Sequence, residues 1–132
     1  MSRKFMGLVT LTVLFGLAPL TQAGLIGWWT LDEGTGTTVG DASGNGNDGT
    51  FQGTPTWVPG VINGALSVDG TSSVTVATTP KLQIGGSVTI TCWINPTSFG
   101  GERGFCGRDL NYAFKSSGTQ LRFTTPGILD HT

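Results

Sequence analysis

Ser87–Asn95 reads SVTITCWIN, and the fold class turns on how it is read. Successive side chains of a strand point to opposite faces, so Val88, Ile90, Cys92 and Ile94 share one side and Thr89, Thr91, Trp93 and Asn95 the other. This alternation predicts a strand with one buried and one accessible face, as in an antiparallel sheet. The accessible face is polar except for Trp93.

Outward from this stretch, related runs predict strands at Leu25–Leu31 (LIGWWTL), Gly64–Val68 (GALSV), Ser73–Ala77 (SVTVA) and Thr119–Thr124 (TQLRFT). Weaker ones fall near Thr50–Gln52 and Tyr112–Lys115, and Gly, Pro, Asn and Asp lie between them. After Ala23 no stretch carries apolar residues at helical spacing without Gly or Pro interrupting it, so no helix is expected. Short strands separated by turn clusters point to an all-β sandwich or jelly roll rather than an α/β fold. The 22 Gly residues suit many tight turns, and the plentiful Thr suits half-exposed strands.

The N-terminus has a different character. Ser2, Arg3 and Lys4 make a short basic start, Phe5–Leu20 is mostly apolar, and Thr21-Gln22-Ala23 ends in a small residue. That order is the pattern of a secretory signal peptide spanning 1–23. A membrane anchor is the competing reading, but the run is interrupted by Thr10, Thr12 and Pro19 and is short for a spanning helix. Cleavage after Ala23 removes two bases and no acid, leaving five bases against eight acids, a net charge of −3. A mildly acidic chain without a basic patch argues against nucleic acid as a partner. The expectation is one exported domain over 24–132, secreted or at the cell surface, with no transmembrane segment.

Two further blocks stand in order before the opening stretch. GWWTLDEGTGTTVGDASGNGNDGTFQG, GALSVDGTSSVTV and SVTITCWINPT together resemble the laminin G-like family of concanavalin A-like jelly rolls, over about Leu25 to Pro96. GFCGRDLNYAFKSSGTQLRF fits the next two strands of such a domain. The final residues, PGILDHT, hold no convincing closing strand, so a domain incomplete at its C-terminus is expected. The resemblance implies an antiparallel two-sheet β-sandwich, used mostly as a binding or adhesion module for carbohydrate or protein and often carrying structural calcium. A minority of the wider fold are glycan-cleaving enzymes, and fold alone does not choose among these.

Within DASGNGNDGT, Asp41, Ser43, Asn45 and Gly46 give D-x-S-x-N-G, the first half of a calcium loop. Gln52 stands where such a loop would place a bidentate Glu, so this is not an EF-hand. A calcium ion would draw oxygens from Asp41, Asn45 and Asp48, and from Asp69 if the VDG turn meets this loop. The alternative is a turn-rich connection whose Asn and Asp side chains bond their own backbone. Both readings use the same residues.

Cys92 and Cys106 are the two cysteines, and in an exported chain a disulfide is the default. Closing a loop of this size would contribute about 3 kcal/mol, the alternative being two free thiols. Trp28, Trp29, Trp57 and Trp93 offer flat apolar faces to sugar rings as well as to a core. Adjacent Trp28 and Trp29 face opposite ways in an extended chain, so only one of them is readily buried. Trp93, on the polar side of its stretch, is the ligand-contact candidate.

Glu33 and Glu102 do not form a paired acidic motif, and His131 has no partner pattern, so no catalytic residues are assigned. The reading at this level is a secreted, non-catalytic module binding extracellular carbohydrate or a protein. A purely structural piece of a larger extracellular protein is the alternative, and a remnant of a glycan-cleaving enzyme the third.

Overall fold

Thr- and Val-rich runs pair as strands, and the Gly-rich stretches between them turn the chain. A computed structural model describes residues 23–108 and 112–124. In chain order the strands are β1 (Thr38–Val39), β2 (Gly49–Gln52), β3 (Thr56–Pro59), β4 (Gly64–Ser67), β5 (Ser73–Val76), β6 (Glu102–Arg108), β7 (Tyr112–Ser117) and β8 (Gln120–Thr124). The architecture is all-β and antiparallel, in three small sheets ordered β1-β2-β5, β3-β4 and β6-β7-β8. A single 3-10 turn, Pro80–Leu82, follows β5 at some distance. No helix among the described residues is long and apolar enough to cross a membrane.

The first sheet places Gly49 opposite Val76 and Phe51 opposite Val74. Gly49 is needed there, since a Cβ would collide with the Val74 side chain. Val39, across from Gly49, is fully buried, and apart from Pro55 it is the only apolar side chain so buried among the described residues. The β3–β4 hairpin leans on this sheet through one aromatic pair. Phe51 and Trp57 lie with centroids 5.4 Å apart, and the Trp57 indole N–H donates to the Gly36 carbonyl at 3.1 Å. Tilted aromatic pairs of this kind add to the burial of their rings.

The third sheet pairs Cys106 with Phe114, with the register shifting between Gly104 and Cys106. Phe105 and Phe114 sit 5.6 Å apart across that irregularity. The Tyr112 hydroxyl reaches the Leu82 carbonyl at 3.5 Å, tying β7 to the 3-10 turn.

β4, β5, β8, β2 and β7 fall where the alternation places them. Leu25–Leu31 does not become a strand; it contributes one bridge, Trp29 to Asp41. Ser87–Asn95 differs most from expectation, because it carries no strand at all. Its sidedness survives in part, with Val88 and Ile90 half-buried while Thr89 and Thr91 are exposed. β1 and β3 were not foreseen, and β6 only in part, through the stretch that begins GFCGR. Most of the signal peptide expected at 1–23 lies outside the described residues, and so does His131.

Candidate functional site

Asp41 is the centre around which the DASGNGNDGT loop closes. One carboxylate oxygen accepts the backbone N–H groups of Trp28 and Ser43, both at 2.9 Å, and the other accepts that of Asn47 at 2.9 Å. The Asp41 N–H in turn donates to the Asp48 carboxylate at 2.8 Å. Gly44 and Gly46, with φ of 81° and 73°, take the left-handed conformations that let the chain fold back over this side chain. Burial works to raise the Asp41 pKa, but hydrogen bonds from Ser43, Trp28 and Asn47 outweigh it and hold the carboxyl well below its ordinary range.

Asn47 carries the same network inward. Its side-chain amide donates to the Ile26 carbonyl at 2.8 Å and accepts the Thr79 hydroxyl at 2.9 Å, while its backbone carbonyl takes the Trp29 indole N–H at 2.8 Å. The residue is 1% exposed, so each of these groups replaces hydration lost on burial. Asn45 lies nearer the surface. Its amide nitrogen donates to the carbonyls of Leu25 (2.8 Å) and Ile26 (3.1 Å) and to the Ser43 hydroxyl (3.0 Å). Its oxygen accepts from the Lys81 ammonium at 2.6 Å.

The four residues expected to hold calcium are thus not gathered at one centre by any contact. Asp41, Asn45 and Asp48 share the loop. Asp69 folds onto its own turn, accepting the N–H groups of Thr71 and Ser72, both at 2.9 Å, and the Thr71 hydroxyl at the same distance. Those bonds, the Thr71 backbone first, hold its pKa down to about 2. Among the described residues no group of three or more His, Cys, Asp and Glu side chains is placed to hold a metal. Where a cation needs oxygen lone pairs, both Asp41 oxygens face N–H donors and the Asn45 oxygen faces an ammonium group. The arrangement is that of a self-satisfied clasp.

Neighbouring acids have similar tasks. Asp32 accepts the Gly64 N–H at 2.9 Å and the Asn63 amide at 3.3 Å, at the turn between β3 and β4. Glu33 accepts the Gly40 N–H at 2.8 Å. Glu102 pairs with Lys115 across β6 and β7 at 3.1 Å, and its pKa is lowered by the Ser117 hydroxyl and by Lys115.

The tryptophans divide as the alternation requires. Trp29 is half-buried, with its indole N–H on Asn47, whereas Trp28 is 55% exposed. Trp57 is held against Phe51. Trp93, the ligand-contact candidate, is 82% exposed, more than any other large apolar side chain among the described residues. Ile94 and Phe99 are also exposed nearby in the chain.

Cys92 and Cys106 are brought together but not joined. The pair is 4.3 Å apart and both thiols are free, so the expected disulfide is absent from this structure. A sulfur–sulfur bond is about 2.05 Å long, so the two groups stand well beyond bonding distance.

The sequence reading missed Asn47, Thr79 and Lys81. Asn47 is the most buried polar residue of the loop, yet its side-chain partners Ile26 and Thr79 lie 21 and 32 positions away. Nothing local to GNGND distinguishes it from Asn45. Comparison with family models, with curated proteins and with solved structures finds no match for this chain.

Proposed function

We propose that the chain is an exported, non-catalytic binding module of the laminin G-like type, with its antiparallel layers packed as a β-sandwich. Its partner is extracellular carbohydrate or a protein. The observation that carries this reading is Trp93, an indole 82% exposed on a stretch whose neighbours Thr91 and Asn95 are also exposed. An exposed aromatic face beside hydroxyl and amide groups offers a sugar both an apolar platform and hydrogen bonds. The acids nearest in sequence to a hydrolase role support the non-catalytic part, since Glu33 holds the Gly40 backbone and Glu102 pairs with Lys115.

A polysaccharide array tests the reading directly. Retention on one glycan class, lost in Trp93→Ala with the melting temperature kept, is the expected result. Absence of binding across a broad array by a folded sample overturns the carbohydrate form and leaves a protein partner or a purely structural piece.

The Asp41 loop serves this module as an internal clasp, with calcium as the competing occupant. Chelator is expected to leave the melting temperature unchanged. A rise with added calcium that Asp41→Ala abolishes would give the loop to the ion.

A further inference from the structure

Among the described residues β6 is an edge strand: β7 pairs with one side of it, and no described strand is paired with the other. Cys106 sits on β6 and is half-buried. Cys92 lies in the Ser87–Asn95 stretch, is exposed, and stands 4.3 Å from Cys106. The stretch with the strongest strand pattern in the chain therefore comes close to β6 at the two cysteines without pairing to it. Cysteines brought this close need only small side-chain and backbone movement to meet the geometry of a bond.

We propose that Cys92 and Cys106 form a redox-closable pair, oxidised by a small-molecule or protein disulfide, and that closure holds Ser87–Asn95 against the edge of β6 as a fourth strand. The order of attack follows from exposure. Cys106 is pushed up to about 11 by burial and by its neighbour Cys92, so its thiolate is scarce. The exposed Cys92 reacts first. Its thiolate attacks one sulfur of the carrier disulfide, forming a mixed disulfide and releasing one carrier thiolate. Cys106 then loses its proton and attacks the Cys92 sulfur, which breaks the mixed bond and releases the second carrier thiolate. Two electrons pass from the protein to the carrier, whose two thiolates take up the two protons.

A well-patterned stretch without a ladder and a pair of neighbouring thiols, one of them on β6, otherwise have no common reason. A docked strand would also cover backbone N–H and C=O groups that an open edge presents to other chains.

The test uses the purified chain, reduced and then equilibrated with mixtures of reduced and oxidised glutathione. The expected product is a monomer whose peptide map links Cys92 to Cys106. Its melting temperature should rise by roughly 10 °C, and amide exchange across residues 88–94 should slow by about tenfold or more. Cys92→Ser, at an exposed position, should fold normally and lose both changes. Separate glutathione adducts on the two cysteines, or a disulfide between chains, would overturn the pairing. A linked monomer in which residues 88–94 exchange as fast as before would overturn the docking of the strand.

Discussion

Two stretches of this chain reverse what their composition suggests. DASGNGNDGT has no apolar pattern, yet it is densely hydrogen-bonded, with Asp41 alone receiving three backbone N–H groups. SVTITCWIN has the cleanest alternation in the chain, yet it forms no ladder. Alternation says which side chains share a face and says nothing about which strand will pair. Asx-type side chains carry their own partners with them, because they bond to backbone a few residues away. A loop can therefore be ordered by local chemistry where a strand has to wait for a neighbour.

The sharpest way to break this contrast is to remove a buried partner. Asn47→Ala should cost about 2 kcal/mol, since it empties a site that is 1% exposed, takes one of its donors from the Ile26 carbonyl and leaves the Thr79 hydroxyl without its acceptor. Denaturant unfolding measures it. A loss under about 1 kcal/mol would mean that water replaces the amide at no great cost.

Acid should loosen this loop and the Asp69 turn in a milder, graded way. Asp69 has a folded pKa of about 2 against an ordinary value of 3.8, and Asp41 is depressed further still. A depressed folded pKa means that the unfolded state takes up protons first as the pH falls. The stabilisation is thus whole above the ordinary value and drains away below it, through about 2 for Asp69 and lower for Asp41. Melting temperature followed against pH should fall across that window, and Asp41→Asn should flatten the fall. An unchanged slope in that variant would remove Asp41 from the account.

The smallest effect is expected in the other region. Trp93→Ala should change stability by no more than about 0.5 kcal/mol, because a side chain already in water loses little on removal. A larger loss in the same unfolding measurement would show that the indole is packed and would weaken its candidacy as a ligand platform.

Much of the fold was legible because β4, β5 and β8 combine alternation with turn residues at both ends. β1 and β3 were not, and β6 only in part, for separate reasons. Thr38–Val39 is two residues long, Thr56–Pro59 ends in a Pro that strands rarely carry, and Glu102–Arg108 mixes charges with two Gly. β6 forms because β7 offers it a full register, a fact visible only once the two are side by side. At the loop, Asp41, Asn45 and Asp48 could be singled out by residue type and spacing. Asn47 and Lys81 could not, since their roles depend on contacts with residues far along the chain. Asp69 is the opposite case, its bonds staying within one turn.

The short reach of the Asp41 contacts bears on the order of assembly. Its three acceptor bonds join residues 13, 2 and 6 positions apart, so closing them costs little chain entropy compared with the pairing of β2 to β5. Contacts between near neighbours in the chain, such as those of Ser43 and Asn47 to Asp41, favour faster folding. The clasp would then act as a nucleus: a seed that brings Trp29, Val39 and Gly49 into reach of one another before the later strands have found their register.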